Sequence, residues 1–183
     1  MSERSEAAPA EAPVRLEREG AVAFLTLNRP QAANSIDAPL ARAFRDTLTE
    51  LDGDETVRAL VLQGAGKMFC AGGDLTSFAR EDDGASRYVE GLIEDLHAGL
   101  ETLFGFHAPV VAAVHGAAAG AGLGLALAAD IVVAGEGARF VMAYTRSGLT
   151  PDGGTSWALP RLVGLRRALH LTFMNPTLTA AEA

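Results

Sequence analysis

The chain has 183 residues, 49% of them hydrophobic, with 20 glycines, one cysteine and a formal net charge of −8. That length supports one domain with a real core, the acidic balance argues against general nucleic-acid binding, and the lone Cys70 excludes an internal disulfide framework. Residues 1–12 lack the basic start and apolar core of a signal peptide and read as a disordered tail. No apolar run is long enough to span a bilayer, so the expectation is a cytoplasmic domain over residues 13–183.

In chain order, Val14 to Leu27 alternates around Glu19-Gly20 and predicts a hairpin. Ala23, Leu25 and Leu27 share one face, and Val22, Phe24 and Thr26 the other. Asn28-Arg29-Pro30 breaks the alternation. Asp37 then stands where it can cap a helix with Pro39 in its first turn. Leu40, Phe44, Leu48 and Leu51 recur at helical spacing, and Asp52-Gly53-Asp54 stops the helix. Val57 to Leu62 predicts a buried strand, followed by the small-residue stretch Gly64 to Leu75. A polar turn at Asp82 to Gly84 precedes a helix over Ser86 to Phe104, with Val89, Leu92, Ile93, Leu96, Leu100 and Leu103 toward the core. Val110 to Val114 and Ile131 to Val133 read as buried strands. Between them lie a loop of small residues (Gly116 to Gly120) and a short helix opening near Ala121. A strand over Ala138 to Ala143, a loop over Gly148 to Gly154 and helices over Ser156 to Leu159 and Leu165 to Phe173 complete the chain. Pro160 is expected to kink or break the path between those helices. Recurring strand-then-helix units predict an α/β domain.

Three small-residue loops, 71–74, 116–122 and 148–154, each follow a strand and can meet at one end of a sheet. For any one of them alone, glycine supplying a turn is the plainer account. The helix start at Ala121 follows a loop with almost no side chains. Its free N–H groups and positive dipole end suit a developing negative charge, which points to an oxyanion site. Gly120-Ala-Gly-Leu-Gly124 lacks the spacing of a dinucleotide loop. Asp152 sits in a stretch with no other ionisable group between Arg146 and Arg161. It is a candidate base near neutral pH and, from spacing alone, more readily a helix N-cap. Asp74 has the same ambiguity, and there a cap or loop brace is favoured. His97, His107, His115 and His170 show no metal-ligand spacing and read as ordinary helix or loop residues. No metal site is expected.

Four segments together, LNRPQAANSI (27–36), FCAGGDL (69–75), PVVAAVHGAAAGAGLGLALAADIVVA (109–134) and GLTPDGGTSWALPRLVG (148–164), closely resemble the crotonase, or enoyl-CoA hydratase/isomerase, superfamily. The resemblance covers about residues 14–183, in order and spacing. It implies a spiral of ββα units with the C-terminal helical region largely missing beyond Ala183. It implies acyl-CoA thioesters as substrate, coenzyme A being part of that substrate and no separate cofactor being needed. It also implies assembly as a homotrimer or hexamer if the C-terminal region is supplied.

By motif position the thioester oxyanion donors fall on the backbone N–H groups of Gly73 and Ala121. Two such donors contribute about 3–4 kcal/mol each in related oxyanion holes. The substrate-binding positions fall on Arg29, Gln31, Ala33, Ala71, Asp74, Leu75, Gly122 and Tyr144. Family hydratases use two glutamates, whose positions hold Gly124 and Tyr144 here, which counts against ordinary hydration. The family's enoyl-CoA isomerases and ring-opened phenylacetyl-CoA isomerases carry a single acid in the loop occupied here by Pro151-Asp152-Gly153-Gly154. The implied activity is therefore a double-bond shift with Asp152 as proton shuttle. Three other readings stay open. One is a hydratase-like enzyme of fatty-acid or aromatic-acid degradation. Another is an aroyl-CoA dehalogenase, although those enzymes carry tryptophan where this chain has Tyr144. The last is a non-catalytic acyl-CoA-binding or assembly subunit.

Overall fold

A computed structural model describes residues 12–79 and 85–183. Residues 1–11 of the tail expected over 1–12, and the polar turn at Asp82 to Gly84, lie outside the described residues. Strands β1 (Val14–Glu19) and β2 (Val22–Leu27) form the expected hairpin, with Val14 opposite Leu27. Gly20 takes a positive φ of 60° at the turn, which glycine adopts without steric cost. Helix α1 (Ala38–Asp52) starts as anticipated, because the Asp37 carboxylate accepts from the Leu40 N–H at 3.0 Å. Its Leu40, Phe44, Leu48 and Leu51 are fully buried.

Strand β3 (Ala59–Gly64), the one-turn helix α2 (Leu75–Phe78), the long helix α3 (Ala85–Phe104) and strand β4 (Val110–Val114) follow. Next come β5 (Ala117–Ala119), α4 (Ala121–Leu127), β6 (Ile131–Ala134) and β7 (Arg139–Val141). Helices α5 (Thr155–Val163) and α6 (Leu165–Met174) and the two-residue strand β8 (Leu178–Thr179) end the chain. The main sheet runs β1-β2-β3-β4-β6, parallel from β2 onward, and a small second sheet runs β5-β7-β8. Helices α1 and α3 pack together where Gly99 faces Phe44, since a Cβ on Gly99 would stand 2.7 Å from that ring.

The structure corrects three expectations. Ile131 to Val133 does form a strand, but not a buried one: Ile131 and Val133 are 55% and 59% exposed. Hydrophobic runs in parallel sheets normally have a layer on each face, whereas β6 is the outermost strand of its sheet among the described residues. Pro160 neither breaks nor separates α5, which runs through it to Val163 and stops at Gly164. The loop expected over Gly116 to Gly120 contains β5, a pairing with β7 that small residues do not advertise.

Candidate active site

Parallel strands β2, β3 and β4 send their following loops to one end of the sheet, where ligands of α/β domains commonly sit. Two single parallel bridges stitch these loops together, Ile36 to Gly73 and Cys70 to Ala118. In the first, the Ile36 N–H donates to Gly72 O at 2.7 Å and the Asp74 N–H donates to Ile36 O at 2.9 Å. The Gly73 N–H between them has no acceptor among the described residues. Ala121 is the first residue of α4, so its N–H is one of the donors a helix cannot satisfy internally. It too has no acceptor among the described residues. Gly72 brings the two loops together: its φ is 96°, and a Cβ there would fall 2.8 Å from Ala119 O and 3.6 Å from Ala121 N.

Gly73 and Ala121 line one cavity of about 480 Å³ together with Ala71, Leu75, Tyr144 and Asp152. Its remaining walls are mainly apolar, from Ile36, Phe78, Leu92 and Leu96 among others. Asp152 is the one carboxylate among the described lining residues. Its Oδ1 is buried without a hydrogen-bond partner among the described residues. The cap reading of this side chain is overturned, because the N-cap of α5 is Gly154, with no side-chain cap bond. The backbone of Asp152 supplies the support instead. Its carbonyl oxygen accepts from the Thr155 N–H at 2.9 Å, Thr155 Oγ1 at 2.6 Å and Tyr144 Oη at 3.4 Å.

Burial raises the pKa of the Tyr144 hydroxyl well above the ordinary tyrosine value, and the neighbouring Asp152 charge raises it further. Tyr144 is thus held neutral and cannot act as a base. At Gly124, the other position where a family hydratase carries glutamate, a Cβ would fall 2.7 Å from Gly153 O and 3.2 Å from Thr155 Cγ2. The 152–155 turn occupies the space a longer side chain would need.

The remaining anticipated binding residues do not line the cavity. The Arg29 guanidinium is consumed internally: it bonds the Ser35 carbonyl oxygen and lies 3.0 Å from Asp37 Oδ2 and 3.2 Å from Asp74 Oδ2. Asp74 in turn accepts from the N–H groups of Thr76 and Ser77 and caps α2, the bracing role favoured from sequence. Gln31 is exposed in a 3-10 turn, Pro30–Ala32. The Ala33 carbonyl accepts from the Ala71 N–H at 3.1 Å. Gly122 allows close packing, since a Cβ there would fall 2.4 Å from Cys70 O.

Asn34, to which sequence reading gave no role, and His97, read there as an ordinary helix or loop residue, contribute to the site's support. Asn34 Nδ2 donates to the carbonyls of Ala65, Met68 and Phe69 and so shapes the loop after β3. His97 Nε2 accepts from the Gly153 N–H at 3.2 Å. Nothing in local spacing signals either, because each of these bonds joins residues at least 31 positions apart.

The sequence profile of the enoyl-CoA hydratase/isomerase family matches residues 17–183. The chain belongs to that family. It is 40% identical over 170 residues to a probable enoyl-CoA hydratase of Rhodobacter capsulatus, covering 93% of this chain and 64% of the relative. It is also 40% identical over 166 residues to the 1,2-epoxyphenylacetyl-CoA isomerase of Escherichia coli, covering 90% and 63%. A solved structure of a putative enoyl-CoA hydratase/isomerase from Mycobacterium abscessus superposes with a TM-score of 0.85 at 39% identity, over 92% of this chain and 65% of that one. The fold is therefore the crotonase fold of the enoyl-CoA hydratase/isomerase family, and the chain spans about 64% of the length of the first of these curated relatives. Among the described residues, no helix is long and apolar enough to cross a membrane.

Proposed function

We propose that this family member acts on acyl-CoA thioesters as an enoyl-CoA isomerase. The observation that carries the reading is a single carboxylate residue, Asp152, lining the same cavity as Gly73 and Ala121, with one oxygen buried and unbonded among the described residues. Water addition across a double bond in this family calls on two carboxylates, whereas a 1,3 proton shift needs one group that accepts and then donates. In the proposed cycle the thioester oxygen lies between the N–H groups of Gly73 and Ala121, which stabilise the negative charge of an enolate. Asp152 takes a C2 proton, and the C–H electron pair enters the enolate. Collapse of the enolate moves the double bond from C3–C4 to C2–C3, and C4 takes the proton back from Asp152. Tyr144, neutral and buried, acts as a wall that keeps water away from the carboxylate. The product double bond is conjugated with the thioester carbonyl, and no second substrate is consumed.

Hydration is the second reading, supported by the relatives named as probable enoyl-CoA hydratases. To separate the two, a 3-enoyl-CoA and a 2-enoyl-CoA are each incubated with wild type and with Asp152→Asn, and isomerisation and hydration are followed independently. Isomerisation lost in the variant supports the proposal, and hydration that persists in it sinks the role of Asp152. Acyl-CoA binding without turnover of either compound would point to a non-catalytic subunit or to assembly with further polypeptide.

A further inference from the structure

On α3, immediately after the cavity-lining Leu96, His97 turns its ring toward the turn that carries Asp152. The Gly153 N–H donates to its Nε2 at 3.2 Å. That bond completes a set of restraints on two successive peptides. The Asp152 carbonyl is held by Thr155 and Tyr144. Gly153, at φ 54°, is fitted between Leu100 Cδ1 and Tyr144 Oη, each 3.6 Å from where its Cβ would stand. Gly153 O faces Gly124. Asp152 lines the cavity from this backbone, and its Oδ1 is buried and unbonded among the described residues. His97 also lines a second, more open cavity of about 500 Å³, with Leu100, Glu101, Phe104, Gly154 and Trp157. The imidazole thus stands between solvent on one side and the Asp152 turn on the other.

We infer that His97 is a positioning residue for Asp152, effective only while its Nε2 carries no proton. The inference rests on the reading of Asp152 as the base. An acceptor at Nε2 requires the neutral ring with its proton on Nδ1. A proton added at Nε2 turns the acceptor into a second donor facing the Gly153 N–H, and the bond is lost. The turn then relaxes and the carboxylate leaves its aligned position, where displacements near 1 Å cost about a hundredfold in rate. Other ionisable groups around the ring are Glu101 on the same helix and Asp152 on the turn. From α5, Arg161 stacks on Trp157 with its guanidinium carbon 4.2 Å from the ring centre.

The test compares wild type, Asp152→Asn, His97→Leu and His97→Gln in the full protein, following 3-enoyl-CoA isomerisation against pH. His97→Leu is expected to lower kcat about ten- to a hundredfold with KM little changed. His97→Gln places an amide oxygen where Nε2 stood and is expected to restore most of kcat. Its pH profile is expected to differ from wild type on the acid side, because glutamine has no ring nitrogen to take up a proton. A His97→Gln profile identical to wild type overturns the inference, even if His97→Leu fails to fold. Asp152→Asn separates the two levels: loss of activity there with unchanged His97 variants sinks the positioning role alone, whereas persistent isomerisation sinks the base assignment. Long-range ¹⁵N–¹H spectra, assigned with His97→Gln, give a readout independent of turnover. They are expected to show Nε2 unprotonated above the histidine titration range, and a proton found there overturns the inference.

Discussion

The carbonyl oxygen of Gly153 lies 2.7 Å from where a Cβ on Gly124 would stand. Real Cβ atoms do not approach a backbone oxygen so closely, so the glycine is demanded by the turn that follows in sequence almost thirty residues later. Restoring a glutamate at this family position therefore does not restore hydration.

Gly124→Glu is expected to leave hydration undetectable and to lower the thermal midpoint. Gly124→Ala serves as the smaller probe. Alanine gains up to about 1 kcal/mol over glycine in a helix interior, but crowding a packed backbone costs about 1–3 kcal/mol. The net expectation is a loss of roughly 1–2 kcal/mol by denaturant unfolding, and a stabilised variant would show that the 152–155 turn yields easily.

Asp152→Asn should separate activity from stability. Isomerisation is expected to fall by about 10²–10⁴-fold, the usual weight of a positioned acid–base group. Stability should be unchanged or higher by up to about 1 kcal/mol, because the substitution removes a charge whose buried Oδ1 has no partner. Calorimetry beside the isomerisation assay checks both, and a clearly destabilised variant would recast Asp152 as structural.

Arg29 joins the N-terminal caps of two helices, since its guanidinium pairs with Asp37 of α1 and Asp74 of α2. All three side chains are mostly buried, at 18%, 15% and 13% exposure. Arg29→Met strands two carboxylates and is expected to cost about 2–3 kcal/mol, somewhat below the penalty for breaking a fully buried pair. Urea unfolding measures it. A cost near zero would mean that water replaces the guanidinium.

The same network sets a pH dependence. Burial pushes the Asp74 carboxyl upward, but hydrogen bonds from Arg29 and Ser77 outweigh it and hold the group below its ordinary value. The unfolded chain therefore binds this proton at higher pH than the folded chain does. The stabilisation is complete above the ordinary carboxylate range, about pH 5 and higher, and is lost as pH falls through the depressed value. Asp74→Asn should be less stable than wild type at pH 7, with the gap closing below about pH 4. Urea midpoints across that range check the sign, and a gap that widens on acidification would contradict it.

Cys70 is fully buried, and that burial pushes its thiol up to about 12. The thiolate needed for alkylation is then scarce at neutral pH. Native protein is expected to resist iodoacetamide until denaturant is added, as mass spectrometry can follow. Rapid native labelling would reveal local opening beside the Gly72–Ala121 approach.

Sequence reasoning reached the elements whose signals are local. The Asp37 cap and the stripe through Leu40, Phe44, Leu48 and Leu51 needed only helical spacing, and the structure shows both. The opening of α4 at Ala121 was equally legible, because a residue-poor loop ahead of an apolar run marks it. What escaped were relationships set by distant partners. An apolar run announces β6 but not whether a layer covers it. Proline removes one helical N–H but does not decide whether the neighbouring helical turns hold α5 together through Pro160. Asp152 looked like a cap because caps are decided locally, whereas its backbone carbonyl is bonded by Tyr144 and Thr155 and the next peptide by His97. Arg29 was placed among the substrate-binding positions by resemblance, and its internal pairing was hidden because its two carboxylate partners lie 8 and 45 positions away and only the folded chain unites them.

The two cavity-lining N–H groups of Gly73 and Ala121 belong to the main chain. A codon change replaces a side chain and leaves the amide in place, so proline alone among the standard residues deletes either donor outright. The neighbouring positions 124, 144 and 152 hold side chains that can be exchanged one at a time. Under the oxyanion role proposed for these two amides, a scaffold of this kind would keep its grip on a carbonyl oxygen through changes of reaction, and selection could reassign the chemistry without first losing it.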